Sequence, residues 1–328
     1  MKIGKISEPM LKRSVLKRIS YKNPDIFAGA GLSRDFASMQ TDDDSQIILS
    51  TDTVTCGFSD IAYYGITKTA NNIAVSGGKI KGVLVSVTMP KNAMESELNE
   101  LMRQISFECK KRKIEIIGGH TEAVNFVNRF VVTFTGVGVR PKNLDISVTN
   151  IKPDMDIVMS KDIALEGTVL LANEREEELL KRFTGSFIDK AKDMKVCLEI
   201  ESEAAVAVNC GVQAMHDASR GGIFGALWEM AASADVGLLV YLDKVNVRQE
   251  TIEITEQLEV NPYTLVSGGA LLMVTNDGSA LKEALLQEGI KAEVIGKTTA
   301  SKDRVIVKGE DRRFLEPPKG DGIVILSE

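Results

Sequence analysis

The chain has 328 residues, a length that predicts two domains of ordinary size. Apolar residues make up 44% and charged residues 26%, and the formal net charge of −6 argues against general binding to nucleic acid. No apolar run is long enough to span a membrane, the N-terminus lacks a secretory pattern, and the four cysteines form no paired motif. We therefore expect a cytoplasmic protein with reduced thiols and no membrane partner.

The first half of the chain predicts alternating helices and strands. A basic amphipathic segment favours a helix at residues 8–19, and glycine-rich residues 29–31 predict a loop before Asp35. The following elements are predicted as strand 46–50, helix 60–76, strand 82–89, helix 94–111, strand 114–117 and strand 129–139. Residues 141–153 carry neither periodicity, so we place the domain boundary near residue 150, which gives domains 1–150 and 151–328.

The second half shows the same mixture. We predict, in chain order, a strand at 156–160, helices within 166–192, a buried helix at 203–215, a helix after Gly222, a strand at 238–242, a helix at 248–259, a strand at 270–275, a helix at 279–289, and strands at 291–296 and 304–308. The last segment, 311–328, is expected to be ordered only in part. Periodicity favours either an α+β or an α/β fold without deciding between them.

The two histidines of the chain each lie beside an acid and a glycine pair. One cluster is Gly118–Glu122, Gly-Gly-His-Thr-Glu, after a predicted strand, and the other is His216–Gly222, which ends in Gly221 and Gly222 at a helix start. Glycines allow close backbone approach to a ligand, and a helix N-terminus favours an anion such as phosphate. For either cluster alone, a tight polar turn or a helix cap is the simpler interpretation, and the case for a ligand site depends on several such clusters in one chain.

Further polar residues lie at predicted element ends. Asp52 follows strand 46–50 and is either a ligand group or a helix cap. Asn71 and Asn72 lie within a predicted helix, where asparagine is unfavourable, so they either face solvent or bind a ligand. Lys161 follows strand 156–160 and is either a point charge for phosphate or an exposed lysine.

Four segments in this order resemble motifs of one family: Ile117–Glu122, Ser160–Thr168, His216–Gly222 and Ser267–Leu272. They are similar to the PurM-like ATP-binding superfamily of aminoimidazole ribonucleotide (AIR) synthase, and most similar to its HypE-like, hydrogenase-maturation branch. The resemblance implies a two-domain α+β fold. Its N-terminal domain would bind ATP and Mg²⁺ and form a barrel with a second copy in a homodimer, and its C-terminal domain would be an α/β sandwich.

The resemblance also implies roles for particular residues. Metal ligands would be Asp35, Asp52 and Glu122, and Lys161, Asp217 and Arg220 would act in catalysis. The residues implied to contact the bound nucleotide are Asn71, Asn72, Gly118, Gly119, His120, Thr121, Gly221 and Gly222.

The chain departs from the family pattern in two ways. Asn72 and His120 stand where acids are expected, which weakens a magnesium site because charged oxygen ligands contribute much of the binding. The chain also ends without the C-terminal cysteine of the hydrogenase-maturation dehydratase, since its last cysteine is Cys210. We therefore expect phosphoryl transfer from ATP to a small or protein-borne substrate, or alternatively a regulatory or scaffold module that binds nucleotide without turnover.

Overall fold

A computed structural model of the chain describes Pro9, Lys12 and residues 26–28, 36–40, 44–54 and 60–317. The predicted helix at 8–19, apart from Pro9 and Lys12, and the predicted ligand Asp35 lie outside these ranges. Two compact units make up the chain: Pro9 and Lys12 belong to the C-terminal unit, and from residue 26 onward the described residues pass from the N-terminal to the C-terminal unit between Asp145 and Ile146. This change of unit lies close to the boundary that the sequence suggests near residue 150.

The described residues of the N-terminal unit form a six-stranded sheet and two helices. Its strands are β1 (Ile26–Ala28), β2 (Ala37–Gln40), β3 (Ser45–Val54), β4 (Lys79–Pro90), β5 (Glu115–Val124) and β6 (Val131–Pro141), and its helices are α1 (Ile61–Ala74) and α2 (Glu95–Lys111). The strand order is β1-β2-β3-β6-β4-β5, and only β4 and β5 run parallel, because α2 connects them as a crossover.

One face of this sheet is covered by α1. Along β3, every second residue from Gln46 to Ser50 is buried, while the alternating residues are partly exposed. Phe134 of β6 is fully buried, and Gly65 of α1 lies so close that an added Cβ would be 2.1 Å from its ring. Glycine at this position therefore lets the helix pack directly on the aromatic ring.

Two of the strands that are longer than the sequence predicts carry candidate site residues in their extensions. The strand predicted at 46–50 continues as β3 to Val54, so Asp52 lies inside it and not after its end. The strand predicted at 114–117 continues as β5 through Gly118–Glu122, where a turn was the simpler expectation. Glycine weakens a strand in isolation, but pairing with β4 along its whole length keeps β5 extended.

Residues 146–317 of the C-terminal unit form a seven-stranded sheet with the order β13-β12-β9-β11-β7-β10-β8. Its strands are β7 (Asp156–Ser160), β8 (Ala214–Asp217), β9 (Gly237–Tyr241), β10 (Leu271–Thr275), β11 (Ala292–Thr299), β12 (Arg304–Lys308) and β13 (Asp311–Phe314). Its helices are α3 (Leu165–Glu174), α4 (Glu176–Leu179), α5 (Gly185–Asp193), α6 (Glu201–Asn209), α7 (Gly222–Ala234), α8 (Gln249–Gln257) and α9 (Gly278–Gln287). All neighbouring strands are antiparallel except β9 and β12.

The strands β8 and β10 are buried along their whole length, so both faces of the sheet are covered there. The expected α+β fold is therefore confirmed.

The helix predicted at 203–215 is wrong in its second half, because α6 ends at Asn209 and residues Ala214–Asp217 form β8. An apolar run rich in alanine and valine suits a buried strand as well as a buried helix, so periodicity cannot separate them.

Candidate functional site

The pairing of four strands fixes the direction of Asp52. Asp52 on β3 pairs with Phe134 on β6, Phe134 pairs with Val85 on β4, and Val85 pairs with Gly119 on β5. Paired residues point to the same face of a sheet. Since Phe134 packs against α1, Asp52 points to the face that α1 covers, where it is partly buried.

The next row of paired residues points the other way. Thr53 pairs with Thr133, Thr133 with Ser86, and Ser86 with His120, and the hydroxyl oxygens of Thr53 and Thr133 are 2.8 Å apart. His120 and Glu122 therefore project from the uncovered face. Their side chains meet there, with His120 Nε2 3.9 Å from Glu122 Oε2, and both are more than half exposed.

The predicted set of metal ligands is therefore not assembled within one N-terminal unit. Asp52 and Glu122 lie on opposite faces, and three strand spacings of about 4.8 Å separate their strands. Asp35 lies outside the described residues. The family resemblance implied that all three acids are magnesium ligands, but the direction of a strand side chain depends on register, which spacing alone does not reveal.

Asp52 instead shares its face with one of the paired asparagines. The Asn72 side-chain amide on α1 donates a hydrogen bond to Ser50 Oγ at 3.0 Å, and Ser50 lies two residues before Asp52 on β3. Asn72 is partly exposed, whereas Asn71 is only 1% exposed and faces the packed side of α1. The carbonyl oxygen of Asn72 and the carboxylate of Asp52 are thus oxygen donors on the same side of the sheet.

One glycine of the β5 pair, Gly119, is required by packing. Gly119 has a φ of +156°, and a Cβ at this position would lie 1.9 Å from the carbonyl oxygen of Val85 on β4. Gly118, His120 and Thr121 are all exposed along this edge strand. The arrangement leaves a bare main chain and polar side chains accessible at one end of the sheet, as expected for contacts with phosphate.

In the C-terminal unit, Lys161 is already paired. Its ammonium group donates to the carbonyl oxygen of Glu199 at 2.6 Å and lies 2.5 Å from a carboxylate oxygen of Glu203. The lysine side chain is only 15% exposed, and its backbone has a left-handed φ of +56°. The sequence offered a phosphate ligand or an exposed lysine. The structure shows a third arrangement, a buried ion pair that joins the end of β7 to α6.

The cluster after β8 is also more enclosed than the sequence indicates. Asp217 is 3% exposed and accepts a hydrogen bond from the Gly269 amide at 3.4 Å, while Arg220 is exposed. Gly221 and Gly222 are buried at the start of α7, and the Gly222 amide donates to the carbonyl of Ser219. The Gly222 amide is therefore not open to an anion.

His216, predicted to end a helix, lies on β8 with its Nε2 3.8 Å from Glu229 Oε2 of α7. Both side chains are largely buried, so this pair joins the central sheet to the helix that follows the glycine pair. It fixes the position of α7 relative to Asp217.

Sequence reasoning missed a second ion pair beside Lys161. Arg248 donates from Nε to Asp162 at 3.0 Å, and its Nη2 lies 3.5 Å from Cys197 Sγ. Burial lowers the pKa of this guanidinium, but the contacts with Asp162 and Cys197 outweigh burial and raise it. Only the charge of Asp162 next to Lys161 could have suggested this pair in the sequence.

Within the described ranges, no three His, Cys, Asp or Glu side chains lie close enough together to hold a metal ion by themselves. No helix among the same residues is both long and apolar enough to cross a membrane.

The two mixed sheets, each with its own helices, define a two-domain α+β protein in which each domain has a separate core. The family models for AIR synthase related proteins match both parts: the N-terminal domain model matches residues 33–140 and the C-terminal domain model residues 152–308. The chain belongs to the AIR synthase related family.

Similar proteins cover almost the whole chain. A putative hydrogenase expression/formation protein of Methanocaldococcus jannaschii is 26% identical over 98% of this chain and 96% of its own length. Among solved structures, a chain of a HypE–HypF complex matches with a TM-score of 0.75, 20% identity, and coverage of 94% of this chain and 99% of its own. A hydrogenase maturation protein HypE in complex with ATP matches with a TM-score of 0.72, 17% identity, and coverage of 96% and 95%. These structures share the fold of this chain.

Proposed function

We propose that this chain is an ATP- and Mg²⁺-dependent enzyme that activates a small or protein-borne substrate by phosphoryl transfer. The observation that carries the proposal is membership of the AIR synthase related family through both domains, together with a protein of the same fold that was solved with ATP. Catalysis of phosphoryl transfer consists largely of positioning and of stabilising charge. Oxygen donors and cations near the phosphates therefore determine whether the chain can catalyse this reaction.

Magnesium prefers hard oxygen ligands and keeps several waters, so a few protein oxygens suffice. Asp52 supplies a carboxylate on the α1 face, and Asn72, held by Ser50, supplies a carbonyl oxygen on the same face. The oxygen atoms of these two residues are suitable ligands for Mg²⁺, and we propose Asp35 as a further ligand. Glu122 is not assigned as a ligand of this ion, because it projects from the other face of the sheet.

The exposed β5 edge is proposed to contact the phosphates. The main chain at Gly118 and Gly119 allows close approach, and Thr121 adds a hydroxyl group. His120 donates a hydrogen bond to a phosphate oxygen, and Glu122, 3.9 Å away, orients the imidazole. An imidazole in place of an acid thus converts a metal ligand into a phosphate ligand.

In the C-terminal domain, Arg220 and Asp217 are the proposed substrate-side residues. Arg220 is exposed and positively charged, whereas Asp217 is held by the Gly269 amide. Lys161 contributes to phosphate binding only if its ammonium group leaves the Glu203 carboxylate and pairs with the phosphate. Gly221 and Gly222 shape the start of α7, and the helix dipole there still favours negative charge.

We also propose a homodimer. The face of the N-terminal sheet opposite α1 includes partly exposed apolar residues, and Leu84 and Ile117 are 40% and 49% exposed. The β5 strand forms the end of the sheet, so its outer main chain can pair with a second copy. Such pairing would bury the apolar face in the barrel that the family resemblance implies.

A second candidate function, a nucleotide-binding regulatory or scaffold module, is favoured by three specific replacements or contacts. Asn72 and His120 stand at positions where acids are expected, and the charge of Lys161 is already balanced by Glu203. Such a protein would bind ATP without hydrolysing or transferring its phosphate.

Two measurements separate these functions. The melting temperature of the purified chain is measured with ATP, with and without Mg²⁺, and release of ADP is then followed under the same conditions. A Mg²⁺-dependent rise in melting temperature with ADP formation supports the enzyme, whereas a rise without ADP formation supports the module. If no nucleotide changes the melting temperature, both proposals are wrong, because any ligand that binds the folded state must stabilise it.

A further inference from the structure

A strip of arginine and aromatic side chains covers one edge of the C-terminal domain. It consists of Phe224 and Trp228 on α7, Tyr263, Arg304 on β12 and Arg313 on β13. The Arg304 guanidinium lies 4.1 Å from the centre of the Trp228 ring, and Arg313 lies 5.9 Å from that of Phe224. Phe224 and Tyr263 stack with ring centres 5.0 Å apart. Both guanidinium groups therefore lie within cation–π range of a ring, and the contact of Arg304 is the closer one.

Among the described residues, no carboxylate neutralises the positive charge of this strip. Across residues 60–317, no carboxylate lies within ion-pair distance of Arg304, Arg312 or Arg313, and Arg304 Nε is buried without a hydrogen-bond partner. Arg248 and Lys302, by contrast, are each paired with an aspartate. Asp243 is directed elsewhere, since it accepts from the Gly309 amide at 3.0 Å. In a protein with a net charge of −6, an unbalanced cluster of stacked arginines is complementary to an anionic partner.

The same edge offers main-chain hydrogen bonds. β13 is the end strand of its sheet and pairs only with β12 among the described strands. Arg313 pairs with Ile306 and so points to the α7 side with Arg304, whereas Arg312 and Phe314 point to the opposite side. Phe314 is 67% exposed. An added strand would therefore place alternate side chains on the arginine strip and on Phe314.

We propose that β13 and the arginine–aromatic strip bind an extended acidic segment of a partner protein, which adds as a strand at this edge. Main-chain pairing provides the attachment, and carboxylates at alternate positions pair with Arg304 and Arg313. A polypeptide fits better than a nucleic acid because only a polypeptide can continue the strand pairing. None of the five side chains of the strip is among the residues assigned to ATP, although Phe224 follows Gly222 by two positions, and the proposal does not depend on turnover.

A second copy of this chain fits the edge less well. Antiparallel pairing of Asp311–Phe314 with itself places Arg312 of one copy opposite Arg313 of the other, and like charges across strands are unfavourable. Charged edge strands also prevent unwanted pairing of sheets. Preventing such pairing requires only charge on the strand. It does not explain why two arginines lie against aromatic rings with no carboxylate partner among residues 60–317.

Trp228 provides a direct readout because it is the only tryptophan in the chain. The test titrates the full chain with a peptide of alternating glutamate and valine and follows Trp228 fluorescence. The controls are a peptide of alternating lysine and valine and a glutamate peptide with N-methylated backbone. We expect saturable binding of the first peptide only, because the first control reverses the charge and the second removes strand pairing.

The variant Arg313→Glu should weaken binding of the glutamate peptide by at least about tenfold, since it removes a charge-assisted hydrogen bond and adds repulsion. Lys190→Glu on α5 makes the same charge change outside the strip and should leave binding unchanged. Absence of a saturable signal at about 1 mM glutamate peptide, the weak end of specific association, would overturn the proposal. Equal binding of the lysine or N-methylated peptide, or binding of an oligonucleotide instead, would overturn it as well.

Discussion

Asp52 and Glu122 project from opposite faces of the same sheet, although the family resemblance implies that both are magnesium ligands. The register that joins Asp52 to Phe134, Val85 and Gly119 fixes this relationship. The carboxylate on the α1 face and the carboxylate beside His120 must therefore have different roles in the site. The proposed division assigns Asp52 to Mg²⁺ and Glu122 to the imidazole.

The first prediction tests this division by comparing Asp52→Asn with Glu122→Gln. Removing the Asp52 charge should raise the Mg²⁺ concentration needed for half-maximal ATP-induced stabilisation by about tenfold, because carboxylate charge contributes much of the affinity. Glu122→Gln should change this concentration less than about twofold, since the residue is not a ligand of that ion. Equal shifts in both variants, with no further shift in the double variant, would show that the two acids share one ion.

The second prediction concerns the amide that replaces an acid on α1. Asn72→Asp places a carboxylate on the same face as Asp52 and should lower the Mg²⁺ concentration for half-maximal stabilisation by about tenfold. Asn72→Ser serves as the control, because it shortens the side chain without adding charge and should not improve Mg²⁺ affinity. If Asn72→Asp weakens Mg²⁺ binding as much as Asn72→Ser, this residue does not face the ion.

The third prediction concerns the buried pair of Lys161 and Glu203. Lys161→Ala should lower the free energy of unfolding by about 3–5 kcal/mol, because it leaves the Glu203 carboxylate, which is only 5% exposed, without its cation. Lys161→Gly loses the same pair but removes the cost of a left-handed backbone, so it should be about 1 kcal/mol more stable than Lys161→Ala.

Urea denaturation measures both variants, with Lys181→Ala as the exposed control, which should stay within about 0.5 kcal/mol of the parent chain. Two equally stable Lys161 variants would contradict the strained backbone. No loss in either would contradict the buried pair.

The fourth prediction tests the close approach of β4 and β5. Gly119→Ala places a Cβ 1.9 Å from the Val85 carbonyl oxygen and should lower the free energy of unfolding by about 3 kcal/mol or more, because two paired strands must separate. Gly185→Ala at the start of α5 is the matched control, since nothing lies within 4 Å of its added Cβ. It should change stability by no more than about 1 kcal/mol. Similar losses in both variants would refute the steric explanation.

Much of the fold follows from the sequence because most helices and strands have clear periodicity. The strand at 156–160 and the helices on either side of β4 lie close to where the pattern predicts them. The exceptions are elements whose state depends on distant partners. β5 stays extended through two glycines because β4 pairs with it, and β8 forms from an apolar run that also suits a helix.

The candidate site was less predictable than the fold. Motifs reveal which residue types gather near strand and helix ends, and they indicate Asp52, His120 and Asp217 from the sequence alone. They do not reveal to which face of a sheet a side chain points, or which oppositely charged residue pairs with a charged side chain. The pairing of Lys161 with Glu203 joins residues 42 positions apart, and no local pattern indicates it.

The most direct test of the account is the formation of ADP from Mg-ATP by the purified chain and by its Asp52→Asn variant. The account predicts ADP formation that requires Mg²⁺, that rises when an acceptor substrate is supplied, and that falls at least about a hundredfold in Asp52→Asn. ATP binding with no ADP formation under any condition would contradict phosphoryl transfer. ADP formation that is unchanged in Asp52→Asn would contradict the assigned site.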